Sequence, residues 1–283
     1  KPELWFVNTI VVPDAHLAAR DLNVKLVTYF HEIDNAFSFI KDFQLQRILE
    51  VSHYCLGCSE IVVKKIQEMG HNNVKLQNSF INNELIRVDQ HRVEELRKKL
   101  GIDPDDFVWV VSGTANYMKG VDLVLPVLEY FRDKKVKIIW IGASLKTGID
   151  YYVKTSAERQ YPGKLIFTGP LSEDYYTYLK LGNGLLILSR EETFSLVMVE
   201  AAFLQMPIVG YNFGVIDRFV EHGMGKIING INSHQLCINM ELIQNNPDLI
   251  DRKRLKDKAM QYTVKNQIDT FDKTLTDILA TSL

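Results

Sequence analysis

Ser189-Arg190-Glu191-Glu192-Thr193-Phe194-Ser195-Leu196-Val197-Met198-Val199-Glu200-Ala201-Ala202 decides the reading of this 283-residue chain. An apolar run, Leu185-Leu186-Ile187-Leu188, precedes it and has the length of a buried strand. Phe194 to Leu204 has helix length with no Gly or Pro, and Thr193 is a residue type that caps helices. The stretch therefore predicts strand, polar turn, helix. A helix that starts at the end of a parallel strand offers free N–H groups and a positive dipole end, which suit an anion. Glu200 stands among Val197, Met198, Val199, Ala201, Ala202 and Phe203. A carboxylate on so apolar a helix is costly unless something hydrogen-bonds it. It either pairs with a Lys or Arg of the fold or accepts bonds from ligand hydroxyls. Glu192 lies eight residues earlier, a rise of about 12 Å if all are helical, the scale of one extended ligand.

Outward from this stretch, strand-like and helical runs alternate, which predicts parallel sheets. The strands expected after residue 100 are 108–111, 137–141, 165–167, 185–188, 208–209 and 226–228. Most end in a small residue: Ser112-Gly113, Gly142, Thr168-Gly169, Ser189 and Gly210. In open α/β sheets the ligand crevice lies beyond the carboxyl ends of the strands, and small residues there admit a ligand to the backbone. Before residue 85 the runs 4–7, 24–30, 54–58 and 74–77 give too few strands for a whole doubly wound domain, with a helix expected over 37–51. From residue 232 onward the pattern is helical.

The length allows two domains, and 46% hydrophobic with 24% charged residues describes a globular protein. A net charge of −2 gives no basic field for nucleic acid. No apolar run approaches the roughly 20 residues of a membrane span. The chain opens at Lys1, directly in strand-like sequence, so a fragment is expected. Cys55 and Cys58 form a C-x-x-C, but only Cys237 remains as a further thiol, so zinc is not expected and the cysteines read as core residues of a reducing, cytoplasmic protein.

Glu192-x7-Glu200, flanked by Ser-Arg-Glu and by Ala-Ala and Pro207-Ile208-Val209, resembles the signature of the retaining, nucleotide-sugar-dependent glycosyltransferases of family 4 (group 1, GT-B fold) that build bacterial polysaccharides. Gly113-Thr114 to Lys119-Gly120-Val121-Asp122-Leu123 is similar to that family's diphosphate-binding segment, with Thr114 where an Arg is usual. Phe167-Thr168-Gly169-Pro170-Leu171 is similar to its base-contacting turn, and Asp217 stands where it has Glu. Phe30-His31-Glu32 ends a strand, where relatives carry a His facing the sugar.

The resemblance implies an α/β, GT-B architecture: two Rossmann-like domains facing across a cleft. The first would be an incomplete, acceptor-side domain over 1–88. The nucleotide-sugar domain would span 89–263, and a terminal helix over 264–283 would cross back to the first. It implies transfer of a hexosyl unit from a nucleoside-diphosphate sugar to a glycan or lipid-linked acceptor, with no cofactor and no metal. Glu192, His31 and Lys119 would act in catalysis. Gly113, Thr114, Lys119, Gly169, Arg190, Thr193, Phe194, Ser195, Leu196 and Glu200 would hold the donor; in place of the missing Arg, either Lys119 and the helix N-terminus near Phe194 suffice or another cation such as Arg190 substitutes. Association with the inner face of the membrane is a further expectation. A nucleotide-sugar epimerase and a catalytically silent nucleotide-sugar-binding module stand as alternatives.

Overall fold

The computed structural model describes residues 2–146 and 148–281. They form two compact units, Lys1–Phe80 with Tyr262–Leu283, and Ile81–Gln261.

The first unit runs β1 (Leu4–Val7), α1 (Pro13–Asp21), β2 (Lys25–Phe30), α2 (Asp34–Phe37), α3 (Asp42–Val51), β3 (Tyr54–Gly57), α4 (Glu60–Glu68) and β4 (Val74–Leu76). Its sheet is parallel, in the order β1-β2-β3-β4. Every residue of β2 is buried, as expected of a strand covered on both faces. The helix expected over 37–51 starts later, as α3 at Asp42, where the Lys41 N–H donates to Gln44 Oε1 at 3.1 Å; Phe37 ends the short α2 before it. Helix α1, not anticipated from the sequence, starts on Pro13, whose ring presets the first helical turn.

The second unit holds α5 (Gln90–Lys99), β5 (Phe107–Ser112), α6 (Val124–Tyr130), β6 (Val136–Ile141), α7 (Gly148–Gln160), β7 (Leu165–Gly169), α8 (Tyr175–Leu179), β8 (Gly184–Ile187), α9 (Leu196–Phe203), β9 (Ile208–Tyr211), α10 (Ile216–Phe219), β10 (Gly225–Ile228), α11 (Ser233–Asn245) and α12 (Arg252–Met260). The six strands are parallel in the order β10-β9-β8-β5-β6-β7. The strand order reverses direction beside β5, between β8 and β6, which makes the carboxyl ends of these strands the topological switch point where ligands bind. Trp109 and Trp140 are fully buried in its core, with Val111, Val124, Leu186 and Tyr211 among their cluster.

The last helix, α13 (Val264–Ala280), belongs to the first unit. Phe271 meets Phe6 edge to face at 5.8 Å between ring centroids. Buried Lys25 on β2 points its ammonium at the end of α13 and donates to the carbonyls of Ile278 (2.8 Å), Leu279 (3.3 Å) and Thr281. A cation there complements the free carbonyls and the negative end of the helix dipole.

Candidate active site

Two loops meet beyond the carboxyl ends of β5 and β8. The first, residues 113–123, folds against the second, residues 188–195, through backbone contacts that demand glycine. Gly120 has φ +71°, and a Cβ there would lie 2.1 Å from the Leu188 carbonyl oxygen. Gly214, after β9, has φ +75°, and a Cβ would lie 1.6 Å from the Glu192 carbonyl oxygen. The Arg190 N–H donates to the Met118 carbonyl at 2.7 Å. The Arg190 guanidinium donates to both oxygens of Asp122 at 2.8 and 2.7 Å and to the Tyr117 carbonyl at 2.7 Å. It also stacks 3.8 Å from the centre of the Tyr117 ring. These bonds pair the Arg190 guanidinium with Asp122 and fasten the two loops together.

That fastening sets Lys119 against Glu192. The Lys119 ammonium lies 2.5 Å from Glu192 Oε1, which also accepts from Ser189 Oγ at 2.7 Å. The Glu192 side chain is 7% exposed, that of Lys119 32%. The Lys119 stem lies over Gly113, where a Cβ would sit 3.3 Å from its Cε. Gly113 in turn accepts the Trp140 indole N–H at 2.9 Å. Thr114 follows directly.

Helix α9 begins at Leu196, with Ser195 rather than Thr193 as its N-cap, and Ser195 makes no side-chain cap bond. Only the last stretch between Glu192 and Glu200 is helical, so the full helical rise expected between them does not apply. Met198 and Val199 donate to the Ser195 carbonyl. The N–H groups of Leu196 and Val197 precede the first helical acceptor and have no partner inside the helix. Ser195 Oγ is buried and without a partner among the described residues. Thr193 and Phe194 lie in the approach to the helix, and Leu196 is exposed.

Glu200 is held by neutral hydroxyls. Its two oxygens accept from Tyr175 (3.0 Å) and Tyr176 (3.1 Å) at the start of α8. Tyr175 Oη also lies 2.9 Å from Ser112 Oγ, at the end of β5. Burial raises the Glu200 carboxyl above the ordinary range, and the two tyrosine bonds pull it partly back. Tyr176 is pushed up to about 12, by burial first and then by the Glu200 charge. Tyr175 is raised further, by the same causes in the same order. The two tyrosines were not read from the sequence, since nothing periodic ties Tyr175 and Tyr176 to a residue 25 and 24 positions away.

Gly169 borders a cavity of about 170 Å3 with Gly142, Ser144, Asp150, Lys154 and Phe167. The Gly142 N–H donates to the Gly169 carbonyl at 3.1 Å. Buried Asp150 accepts from Ser144 Oγ and from the N–H groups of Lys146 (2.9 Å) and Tyr151 (3.0 Å). Asp217, in the first turn of α10, accepts from the Asn212 amide at 3.1 Å.

His31 lies in the other unit, just past β2. Its Nε2 is 2.8 Å from Asn8 Oδ1, its ring is 4.0 Å from that of Tyr29, and its N–H donates to Glu32 Oε2 at 2.9 Å. Burial lowers its pKa, against the Glu32 charge. Cys55, Cys58 and Cys237 are buried free thiols. Among the described residues no cluster of His, Cys, Asp and Glu could hold a metal ion. None of the described helices is long and apolar enough to cross a membrane.

Residues 92–267 match the family described as glycosyl transferases group 1. A Streptococcus pneumoniae protein, alpha-galactosylglucosyldiacylglycerol synthase, is 30% identical over 137 residues, which is 46% of this chain and 36% of that protein. The match thus spans about a third of the relative's length. The crystal structure of Anabaena HepE in complex with UDP-glucose superposes with a TM-score of 0.86 at 19% identity, covering 97% of this chain and 79% of that one. Sucrose-phosphate synthase of Thermosynechococcus elongatus gives 0.83 at 14% identity, covering 99% and 74%. At these identities the likeness shows the fold: the α/β chain with two parallel sheets has the GT-B architecture.

Proposed function

The chain belongs to the glycosyl transferases group 1 family, and from that membership we propose that it moves a hexosyl unit from a nucleoside-diphosphate sugar to a hydroxyl of a glycan or lipid-linked acceptor. The transfer retains anomeric configuration, as in family 4. The observation that carries the reading is the pair Lys119–Glu192 immediately before α9, with Glu200 on that helix.

In this reading the diphosphate takes the Lys119 ammonium and the free N–H groups that open α9. These preorganised groups stabilise the charge that grows on the leaving phosphate. Thr114 supplies no second cation. Glu192, released from Lys119, receives hydroxyls of the sugar. Glu200 accepts the ribose hydroxyls on the lone pairs that Tyr175 and Tyr176 leave open. The cavity beside Gly142, Phe167 and Gly169 offers an aromatic wall and backbone groups to the base.

The bond from the anomeric carbon to the phosphate oxygen breaks, and its electron pair leaves with the diphosphate. The acceptor oxygen bonds to the same face of the sugar and gives its proton to the departing phosphate. No metal takes part in this scheme, and His31 keeps the catalytic assignment that the family resemblance gives it. HepE, with 79% of its chain covered, was crystallised with UDP-glucose and with UDP, which supports a nucleotide-sugar donor. The name of the streptococcal relative supports a lipid acceptor, and the proposal has the chain meet it at the inner face of the membrane.

The test is a thermal-shift titration with UDP, GDP, ADP and their hexose conjugates, because a ligand that binds only the folded state raises its melting point. Stabilisation by one nucleotide, lost in Lys119→Ala and Glu200→Gln, is the expected result. Proton NMR of the product then reads its anomeric configuration. Binding without turnover against any acceptor would favour the silent module, the reading that Thr114 supports.

A further inference from the structure

The cavity of about 170 Å3 past the ends of β6 and β7 has a flat wall, a glycine floor and a charged side. Gly142 follows β6 at φ +149°, and a Cβ there would lie 2.0 Å from the Gly113 carbonyl oxygen. Gly169 ends β7, and a Cβ on it would meet nothing within 4 Å, so the space over that residue is open. The Phe167 ring forms one wall and is backed by the Trp140 indole, 6.0 Å away between ring centroids. An aromatic face of this kind suits a planar ring. Helix α7 supplies the other side. Asp150 and Lys154 are one turn apart and share a helix face.

The hydrogen-bonding capacity of this lining is one-sided. Asp150 can only accept, and its own loop takes it up: Oδ2 accepts from Ser144 Oγ and from the Lys146 N–H at 2.9 Å, and Oδ1 from the Tyr151 N–H at 3.0 Å. Ser144 spends its proton on that bond. The Gly142 N–H is spent on the Gly169 carbonyl. Lys154 is exposed and makes no hydrogen bond or ion pair among the described residues. Its ammonium carries three donors and no acceptor. The side-chain group left to meet a ligand's polar edge is therefore a cationic donor.

Uracil and cytosine differ at one exocyclic position, a carbonyl in the first and an amino group in the second, and hypoxanthine or guanine differs from adenine in the same way. A carbonyl accepts from the ammonium. An amino group sets donor against donor and leaves both unsatisfied. We propose that Lys154 is a specificity-determining residue, which selects sugar nucleotides whose base turns a carbonyl to it (uracil, hypoxanthine or guanine) over those that turn an amino group (cytosine, adenine). The inference rests on the reading above, from which it takes the placing of the base in this cavity.

The test compares dissociation constants within two pairs, UDP with CDP and inosine diphosphate with ADP, from thermal-shift titrations of the full chain. In the better-bound pair the carbonyl base should bind about tenfold tighter, the low end for a hydrogen bond to a charged group. That pair also tells a one-ring from a two-ring base. Lys154→Met should bring the ratio close to one. Lys154→Glu should reverse it, since a carboxylate accepts from the amino group. The ratio within a pair cancels any general effect of the charge on the diphosphate. Both variants should keep the parent's melting point without nucleotide, because the side chain is exposed.

A ratio that Lys154→Met and Lys154→Glu leave unmoved would overturn the proposal and assign the choice of base to the backbone at Gly142 and Gly169. Tighter binding of CDP and ADP by the parent would overturn it as well. Lys119→Ala separates this failure from that of the donor site. Nucleotide binding that Lys119→Ala abolishes, with no preference within either pair, keeps the donor site and removes Lys154 from it. Binding of none of these nucleotides would remove both.

Discussion

Lys119 Nζ and Glu192 Oε1 lie 2.5 Å apart, and the carboxylate is the more buried of the two. The pair fills the place that the proposed mechanism gives to the diphosphate and the sugar, so donor binding must exchange one partner for another. Lys119→Met should therefore do two things. It leaves Glu192 with Ser189 alone, at a cost of about 1–3 kcal/mol for a buried polar group deprived of its partner. It also removes nucleotide binding. Adding Glu192→Gln should return most of the stability and none of the binding. Urea unfolding with and without nucleotide separates the two effects, and a double variant as unstable as the single would refute the pairing.

Glu200 should make stability and binding run in opposite directions with pH. Its carboxyl is raised in the folded state by burial. The folded chain therefore binds more protons than the unfolded one between the ordinary carboxylate value and the raised one, and stability falls as pH rises through that window. Glu200→Gln should abolish this fall and melt higher than the parent at pH 7. Nucleotide affinity should drop in the same variant by about 1–3 kcal/mol, the range for hydrogen bonds to a charged group. Melting curves from pH 4 to 8, with and without nucleotide, give both. A Gln variant of unchanged affinity would remove Glu200 from the ribose.

In the proposed scheme Tyr175 and Tyr176 act through Glu200, and the signature of that role is a pH profile. Each donates to one carboxylate oxygen and favours the ionised form. Tyr175→Phe or Tyr176→Phe should push the Glu200 carboxyl higher still. The loss of nucleotide affinity on acidification should then begin at a higher pH than in the parent. A uniform loss of affinity, with the profile unmoved, would assign the tyrosines to packing.

Glycine substitutions should rank by what a Cβ would meet. Gly169 and Gly214 have nearly the same φ, +77° and +75°. A Cβ on Gly169 meets nothing within 4 Å, whereas one on Gly214 meets the Glu192 carbonyl oxygen. Gly169→Ala should cost about 1–2 kcal/mol, the penalty of the left-handed conformation. Gly214→Ala should cost more and should displace Glu192, lowering activity beyond its effect on the melting point. Equal losses at the two positions would show that the backbone at Glu192 is free to move.

Sequence pattern made some of this architecture legible. Strands covered on both faces, such as β2 and β8, announce themselves as continuous apolar runs, and the small residues after them mark the crevice. Glu200 stood out because a carboxylate on an apolar helix violates a local rule. What escaped lay in long-range pairings. Arg190 reads as a free cation until Asp122, 68 residues away, takes it. Tyr175 and Tyr176 look like any aromatics at a helix start. Thr193 is a capping residue type, yet the helix starts after Ser195, which makes no side-chain cap bond. The break between α2 and α3 follows from no Gly or Pro, so propensity alone gave no sign of it.

Lys25 and the carbonyl of Ile278 are 253 residues apart in the chain. During synthesis the strand that carries Lys25 leaves the ribosome long before its acceptors exist. Until the last helix emerges, the ammonium must stay hydrated, and the face of Phe6 that α13 covers stays open. The second unit, Ile81–Gln261, is continuous in sequence and can be complete by then. Maturation of the first unit thus waits until residues 264–280 are made, and a chain stopped short of residue 264 would carry a finished second unit beside an unfinished first one.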